Sequence, residues 1–565
     1  MHVHPPRYFL LFALAAWILL WIPGAGLAAA DKDVEMLKKE IKTLKEKLEA
    51  LEKDNSWNSE DIDYLSERLD EAEMHTATDK VSFGFDFRTR GESIHYNDLR
   101  MAPAPVINGF FTPPPNGFNG ATKNQIQQAM ANMAQSGMIP PPDKYDADND
   151  IIYTNRFRLE MKARVNRSLS FRGRMAAYKV FGDSTGVKFN QGSLGDVTLD
   201  GNTSSLPHGD TMHLERAYFV YKNELINMPI SLSLGRRPST QGPPLEYRNY
   251  SMVGGSPAAT VINWQFDGAS LTFGLERLTG IPGASFKLCY GVGFEKDWGN
   301  ATSLNYSESD LEDVHMLGFI SDLYDNGSTS LMFNYAHAWD VTDGFTGLTV
   351  MPFIVAPEDR NGDGTPEYYF NANNGGYISR LEPASNIGDW DAASLLLRSQ
   401  VATPNAPVDW FLAASWSHTD PSKVSDNPFF NLMGMGLLSS NGELEERDGY
   451  SLYGGVICPM PFNARLGLEY NWGSKYWFNF TGAEDSLIGS KLAARGEVYE
   501  AYYIQPVMAR NFFLKLGGQF YDYKYSGSGN PLGKPVKIDD ASAFDTINPV
   551  VDEVWNAYLS ATVRF

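Results

Sequence analysis

The stretch WNAYLSATVRF (555–565) alternates strictly. Trp555, Ala557, Leu559, Ala561, Val563 and Phe565 share one face, and Asn556, Tyr558, Ser560, Thr562 and Arg564 share the other. A period of two with one apolar side reads as a β-strand. Soluble chains more often finish on something polar and frayed. What the apolar side touches decides the fold.

The same pattern recurs upstream. In VSFGFDFRTR (81–90), Val81, Phe83, Phe85 and Phe87 oppose Ser82, Gly84, Asp86 and Arg88. In RFRLEMKARV (156–165), Phe157, Leu159, Met161, Ala163 and Val165 oppose five charged residues. A soluble sandwich also alternates, but these segments approach the ten or so residues of a membrane-crossing strand. Their second face is charged, as a water-filled lumen requires. Strands are expected at 81–91, 152–165, 169–180, 212–223, 230–237, 259–277, 285–297, 313–323, 329–339, 391–402, 408–418, 448–458, 463–473, 496–508, 511–523 and 553–565. Their connections alternate between tight turns and long loops, the arrangement of an antiparallel outer-membrane β-barrel of about 16 strands. The segment ATVINWQFDGASLTFGLER (259–277) is read as one long kinked strand, although its Asp-Gly could make a hairpin. The apolar face of 555–565 then meets lipid, and the strand closes the barrel near Val81.

Composition is consistent with this. Aromatic content is 13%, with 51 Gly and 32 Pro, as many strands and turns require. Cys289 and Cys458 are the only cysteines, so no disulfide framework exists. The net charge of −21 argues against nucleic-acid binding. Mean hydropathy is −0.30, and the one long apolar run is YFLLFALAAWILLWI at the start. A basic head precedes it and Ala28 and Ala30 follow, so residues 1–30 read as a signal peptide rather than an anchor.

Residues 31–78 carry a different period. Val34, Ile41, Leu48, Asn55, Ile62 and Leu69 occupy position a of a heptad, and Leu37, Leu44, Leu51, Asn58, Leu65 and Ala72 position d. Such a seam is an α-helical coiled coil, with Asn55 and Asn58 setting register. Flanking pairs such as Asp33–Lys38 and Glu40–Lys45 favour a parallel homo-oligomer. The expected domains are the leader (1–30), a periplasmic coiled coil (31–78) and the barrel (79–565).

A terminal amphipathic strand ending in Phe565 resembles those of bacterial outer-membrane proteins, in which it is the signal read by the barrel-assembly machinery. Leader, coiled coil and barrel together resemble porin-like proteins. The stretch RFRLEMKARVNRSLSFRGRMAAYKVFGDST (156–185) is similar to an uncharacterised porin-like family. The resemblance implies transport only by architecture, and a homotrimer.

The clearest candidate site is a basic wall. With apolar faces toward lipid, Arg88, Arg90, Arg156, Arg158, Lys162, Arg164, Arg172, Arg174, Arg216 and Lys222 point inward on the first four strands and favour anions. The alternative is that they solvate the lumen and pair with Asp86, Glu160 and Glu215. The third long loop (238–258) carries Glu246, between Arg237 and Arg248. By the porin resemblance it folds inward as a constriction. DRNGDGTPEYYF (359–370) offers Asp359, Asn361, Asp363 and Glu367 at calcium-loop spacing. Its twelfth position is Phe370 rather than Glu, so it reads as a surface turn with weak Ca2+ affinity at most; no other cofactor is expected. No G-x-S-x-G, H-E-x-x-H or P-loop occurs, so no enzyme is expected.

Three functions fit: a passive outer-membrane porin for small hydrophilic, anion-biased solutes; a structural anchor or cell-wall tether with a blocked lumen; or a barrel sheath around a partner protein. In the tether, the helical stalk contacts peptidoglycan or a periplasmic partner.

Overall fold

The computed structural model describes residues 81–565 except 112–117, 167, 182–211, 252–253, 295–310, 345–346, 351–352, 374–377, 382, 405, 440–441, 483 and 530. The expected leader and coiled coil, with Asn55 and Asn58, lie outside the described residues. Sixteen antiparallel strands among the described residues close into one barrel. They are β1 (Val81–Met101), β2 (Asp143–Arg164), β3 (Leu169–Phe181), β4 (Met212–Leu225), β5 (Met228–Arg236), β6 (Asp267–Gly274), β7 (Ser285–Phe294) and β8 (Val314–Asp325). Then follow β9 (Thr329–Thr342), β10 (Asn386–Val401), β11 (Val408–Pro421), β12 (Arg447–Pro459), β13 (Arg465–Gly473), β14 (Gly496–Met508), β15 (Phe512–Tyr523) and β16 (Glu553–Arg564).

Each strand pairs with its sequence neighbours, and β16 returns to β1 with Phe87 opposite Val563 and His95 opposite Trp555. The seam ends on Phe565. Its amide donates to the Phe85 carbonyl at 3.0 Å, its carbonyl accepts from the Phe85 amide at 2.7 Å, and the two rings stack at 5.2 Å.

The two faces of β16 separate as the sequence pattern requires. Trp555, Leu559, Val563 and Phe565 are exposed, whereas Asn556, Tyr558, Ser560 and Thr562 are buried. Exposed Leu395, Leu412, Leu452, Leu468, Leu516 and Phe520 continue the outer belt on β10–β13 and β15. A closed wall with this apolar exterior satisfies every strand edge without water, the condition for crossing lipid. Gly467 and Gly517 serve the inner face: a methyl group there would lie 2.1 Å from the Tyr502 ring and 2.5 Å from the Tyr558 hydroxyl.

Short turns alternate with long loops around the whole barrel. The β4–β5 turn is two residues, Ile226 and Asn227, both at positive φ, the backbone of a tight hairpin. The β2–β3 connection, at the tip of its hairpin, is also short. Within that tip, Asn166 Oδ1 accepts the amides of Ser168 and Leu169 at 2.8 Å.

β1 and β2 run about ten residues beyond the expected 81–91 and 152–165 at their loop ends, and one strand falls well short of its expected span. β6 is a single strand, but it spans only Asp267–Gly274, not 259–277. Residues 259–266 belong to the third long loop and, apart from half-buried Ile262, are buried inside the barrel, Trp264 completely. The reason is packing. Protein meets both sides of this segment, so its alternation does not mark a membrane face.

The other long loops hold a small layer of their own. Strand Glu367–Ala372 pairs with Phe353–Glu358 on one side and with Ala121–Thr122 on the other. The helix Lys123–Gln135 starts on a Thr122–Gln125 capping box. Ile126, Phe353, Tyr368 and Leu432 form its apolar core.

Candidate functional site: the barrel interior

Two loops fill much of the interior: the third, L3 (237–266), and the seventh, L7 (474–495). They grip each other through a parallel bridge at Ile262 and Phe480. Asn263 N–H donates to Phe480 O at 2.7 Å, Phe480 N–H to Val261 O at 3.1 Å, and Asn479 Nδ2 to Thr260 O at 2.8 Å. Apolar contacts seat the pair against the wall. Trp264, Phe478 and Phe480 pack with Met316, Ala338 and Trp390 of β8–β10. Lower in the barrel, Leu245 and Leu492 pack with Leu396, Phe411 and Tyr453. Deep burial of these rings fixes both loops more firmly than surface contacts would.

Ion pairs complete the attachment in three clusters. In the first, Asp485 of L7 accepts from Arg88 Nη1 at 2.6 Å and Arg156 Nη1 at 2.7 Å. Arg156 Nη2 also donates to Asp86 at 2.7 Å, and Asp86 receives Arg564 Nε at 2.7 Å. In the second, Glu215 lies 3.0 Å from Arg158 Nε and 3.2 Å from Arg174 Nη1, and Arg174 also bonds Glu160. Arg158 reaches Gln241 of L3 at 3.2 Å, and Arg216 donates to Thr240 O at 3.3 Å. In the third, Arg248 of L3 donates to Glu500 and to Glu484 of L7, each at 2.8 Å. Lys491 bonds Glu469 and Glu500, and Lys515 donates to Arg248 O at 3.0 Å.

The loop charges respond to these partners. Burial opposes ionisation of Asp485, but Arg88 and Arg156 outweigh it and hold the carboxyl below its usual value. Burial also opposes the charges of Arg248 and Lys491, and the Glu500 carboxylate with Glu484 or Glu469 more than compensates. Glu484 goes the other way, because burial exceeds the pull of Arg248 and Lys491 and raises its carboxyl.

The structure thus places the sequence candidates as follows. Arg88, Arg156, Arg158, Arg174 and Arg216 come together inside, each beside a carboxylate. Arg90 donates to Glu92 at 2.6 Å and lies over the Tyr558 ring at 4.1 Å. Lys162, Arg164, Arg172 and Lys222 are exposed. Arg237 is buried and donates to Tyr290 O. Glu246 meets Arg398 of β10 at 2.5 Å, and Arg248 the third cluster. Asp359, Asn361 and Asp363 lie on one exposed turn and buried Glu367 opens the strand that follows it: Asp359 accepts the Gly362 and Gly364 amides, and Asn361 donates to Glu367 at 2.6 Å. Among the described residues no group of three or more His, Cys, Asp or Glu is arranged to hold a metal.

Sequence reasoning missed Asp485, Glu484, Glu469, Glu500, Lys491 and Lys515. Strand parity alone puts Glu469, Glu500 and Lys515 on inner faces. No local signal brings Glu484 and Asp485 indoors.

A family model described as "Protein of unknown function (DUF3373)" matches residues 146–565. No curated protein matches the sequence. Similar solved structures include Salmonella typhi OmpF in complex with daunomycin, at 11% identity over 86% of this chain and 97% of that one, TM-score 0.38. Pseudomonas putida OprB shares 12% identity over 87% and 96%, TM-score 0.39. The trimer form of OmpT, an outer membrane protein of Vibrio cholerae, shares 11% identity over 86% and 100%, TM-score 0.36.

Proposed function

The chain belongs to the family described as "Protein of unknown function (DUF3373)", and from that premise we propose that it is a porin-like channel of the bacterial outer membrane. Small hydrophilic solutes diffuse passively through it, along a lumen narrowed jointly by L3 and L7. The supporting observation is the division of faces: an apolar belt outside a closed 16-strand wall, and charged side chains inside it. A weak anion preference follows from the charge count. Arg88, Arg156 and Arg564 stand against Asp86 and Asp485, and Arg158, Arg174 and Arg216 against Glu160 and Glu215. Each of these two clusters has three cations for two carboxylates and keeps one net positive charge, whereas the third balances Arg248, Lys491 and Lys515 against Glu469, Glu484 and Glu500.

The leader (1–30) exports the chain, and the coiled coil (31–78) gathers barrels into a homotrimer on the periplasmic side. The 359–370 turn is a surface turn with at most weak Ca2+ affinity. Deleting 33–74 should lower oligomer stability; an unchanged trimer in mild detergent removes that role.

The test of the channel is planar-bilayer conductance under a salt gradient. Discrete steps with a reversal potential on the anion side support the reading. Steps with cation preference keep the channel and discard the basic wall as its filter. A second reading, the anchor with a blocked lumen, draws on the depth at which L3 and L7 side chains are buried. A folded barrel that gives no steps selects it.

A further inference from the structure

We propose that the interior holds a binding site for a small organic acid with an apolar body, between L3 and the inner face of β7–β9. A cavity lies there in which the centre of a water-sized sphere can occupy about 60 Å³. That is room for several waters, or for a molecule of roughly ten non-hydrogen atoms. The lining is apolar, chiefly Val261, Ile262 and Phe266 of L3 with Met316, Ile320 and Ala336 of the wall.

Of the polar side chains on this surface, Asn334 and Arg237 each keep a donor unused. Asn334 is 4% exposed; its Oδ1 accepts from the Ala258 amide at 3.3 Å, while its Nδ2 has no acceptor. Arg237 is 9% exposed; its Nη2 donates to Tyr290 O at 3.0 Å, while its Nε has no acceptor. Both residues line the cavity. A buried donor without an acceptor is costly, and an apolar wall with a few fixed donors is the composition of a ligand pocket. The ligand that matches carries an acceptor group, which Asn334 can bond and the Arg237 charge favours as an anion. Its apolar remainder lies against Ile262, Phe266 and Met316. The site stands whether or not the barrel conducts, since it needs only L3 seated on the wall.

Benzoate is a suitable probe of this size and charge. Calorimetric titration of the folded full-length protein in detergent should show saturable binding, and neutral benzyl alcohol should bind at least tenfold more weakly. Asn334→Leu and Arg237→Met should each weaken benzoate at least tenfold. Ala336→Leu, which adds three carbons from the wall and fills the cavity without removing either donor, should do the same if either of those variants fails to fold. Cys289 also lines the cavity, so in a Cys458→Ser background benzoate should slow its modification by methyl methanethiolsulfonate. The inference is overturned if benzoate binding does not saturate, if benzyl alcohol binds as well, or if the folded variants bind like the parent.

Discussion

The inner faces of β1–β4 and of β8–β11 present opposite chemistry. The first sector offers Arg88, Arg156, Arg158 and Arg174; the second offers Met316, Ala336, Trp390 and Ala413. One loop answers both. L7 reads SKYWFNFTGAEDSLIGSKLAAR (474–495): its aromatic first half packs on the apolar sector, and Glu484 and Asp485 meet cations. An interior can therefore be matched piecewise, by loops whose two halves suit different parts of the wall.

Substitutions can break this comparison. Trp390 is fully buried and meets Phe480 edge to face, with ring centroids 4.6 Å apart. Trp390→Ala should cost about 3–5 kcal/mol in the unfolding midpoint of the detergent-folded barrel. A loss under about 1 kcal/mol would mean that the apolar sector does not hold L7. In the basic sector, Asp485→Asn removes the carboxylate shared by Arg88 and Arg156. Leaving two buried cations short of a partner should cost about 3 kcal/mol. The same variant should move the reversal potential toward anions, and an unmoved potential would place the permeation path away from this cluster.

Acid titration sharpens the contrast within L7 itself. Asp485 titrates below 3.8, so its stabilisation is complete above that pH and is lost as pH falls toward its lowered value. Glu484 titrates above 4.5, so its charge costs stability as pH rises through that window, and mild acidification relieves the cost. Urea midpoints measured from pH 7 to pH 3 should therefore gain a positive contribution from Glu484 before losing one from Asp485. Glu484→Gln should remove the first effect and leave the second. The smallest change is expected at Glu246→Gln, where the Arg398 pair keeps some solvent exposure. Its cost should stay under about 1 kcal/mol, read from the same midpoints.

Much of the wall was legible in the sequence, because period two and the alternation of short and long connections are local properties of the chain. β16 shows this most plainly: its exposed and buried residues follow the two faces of 555–565. The interior was less legible. In β9, Met332, Ala336 and Ala338 face inward while Leu331, Phe333 and Tyr335 face outward, so both faces are apolar and parity cannot label them. Segment 259–266 alternates as a strand does, yet it lies inside with protein on both sides. The acids of L7 carry no periodic signal at all, since their position depends on where a loop is held rather than on its own pattern.

The L3–L7 grip has a consequence for the order of assembly. Asn479 and Thr260 are 219 residues apart in the chain. During synthesis or membrane insertion, L3 exists long before its partner does, and contacts so distant in sequence form late because closing the intervening chain is slow. Until then, the apolar side chains of L3 have no L7 to cover them. Seating of the interior must therefore wait for β13 and the loop that follows it, which makes the last quarter of the chain the step that locks the first half in place.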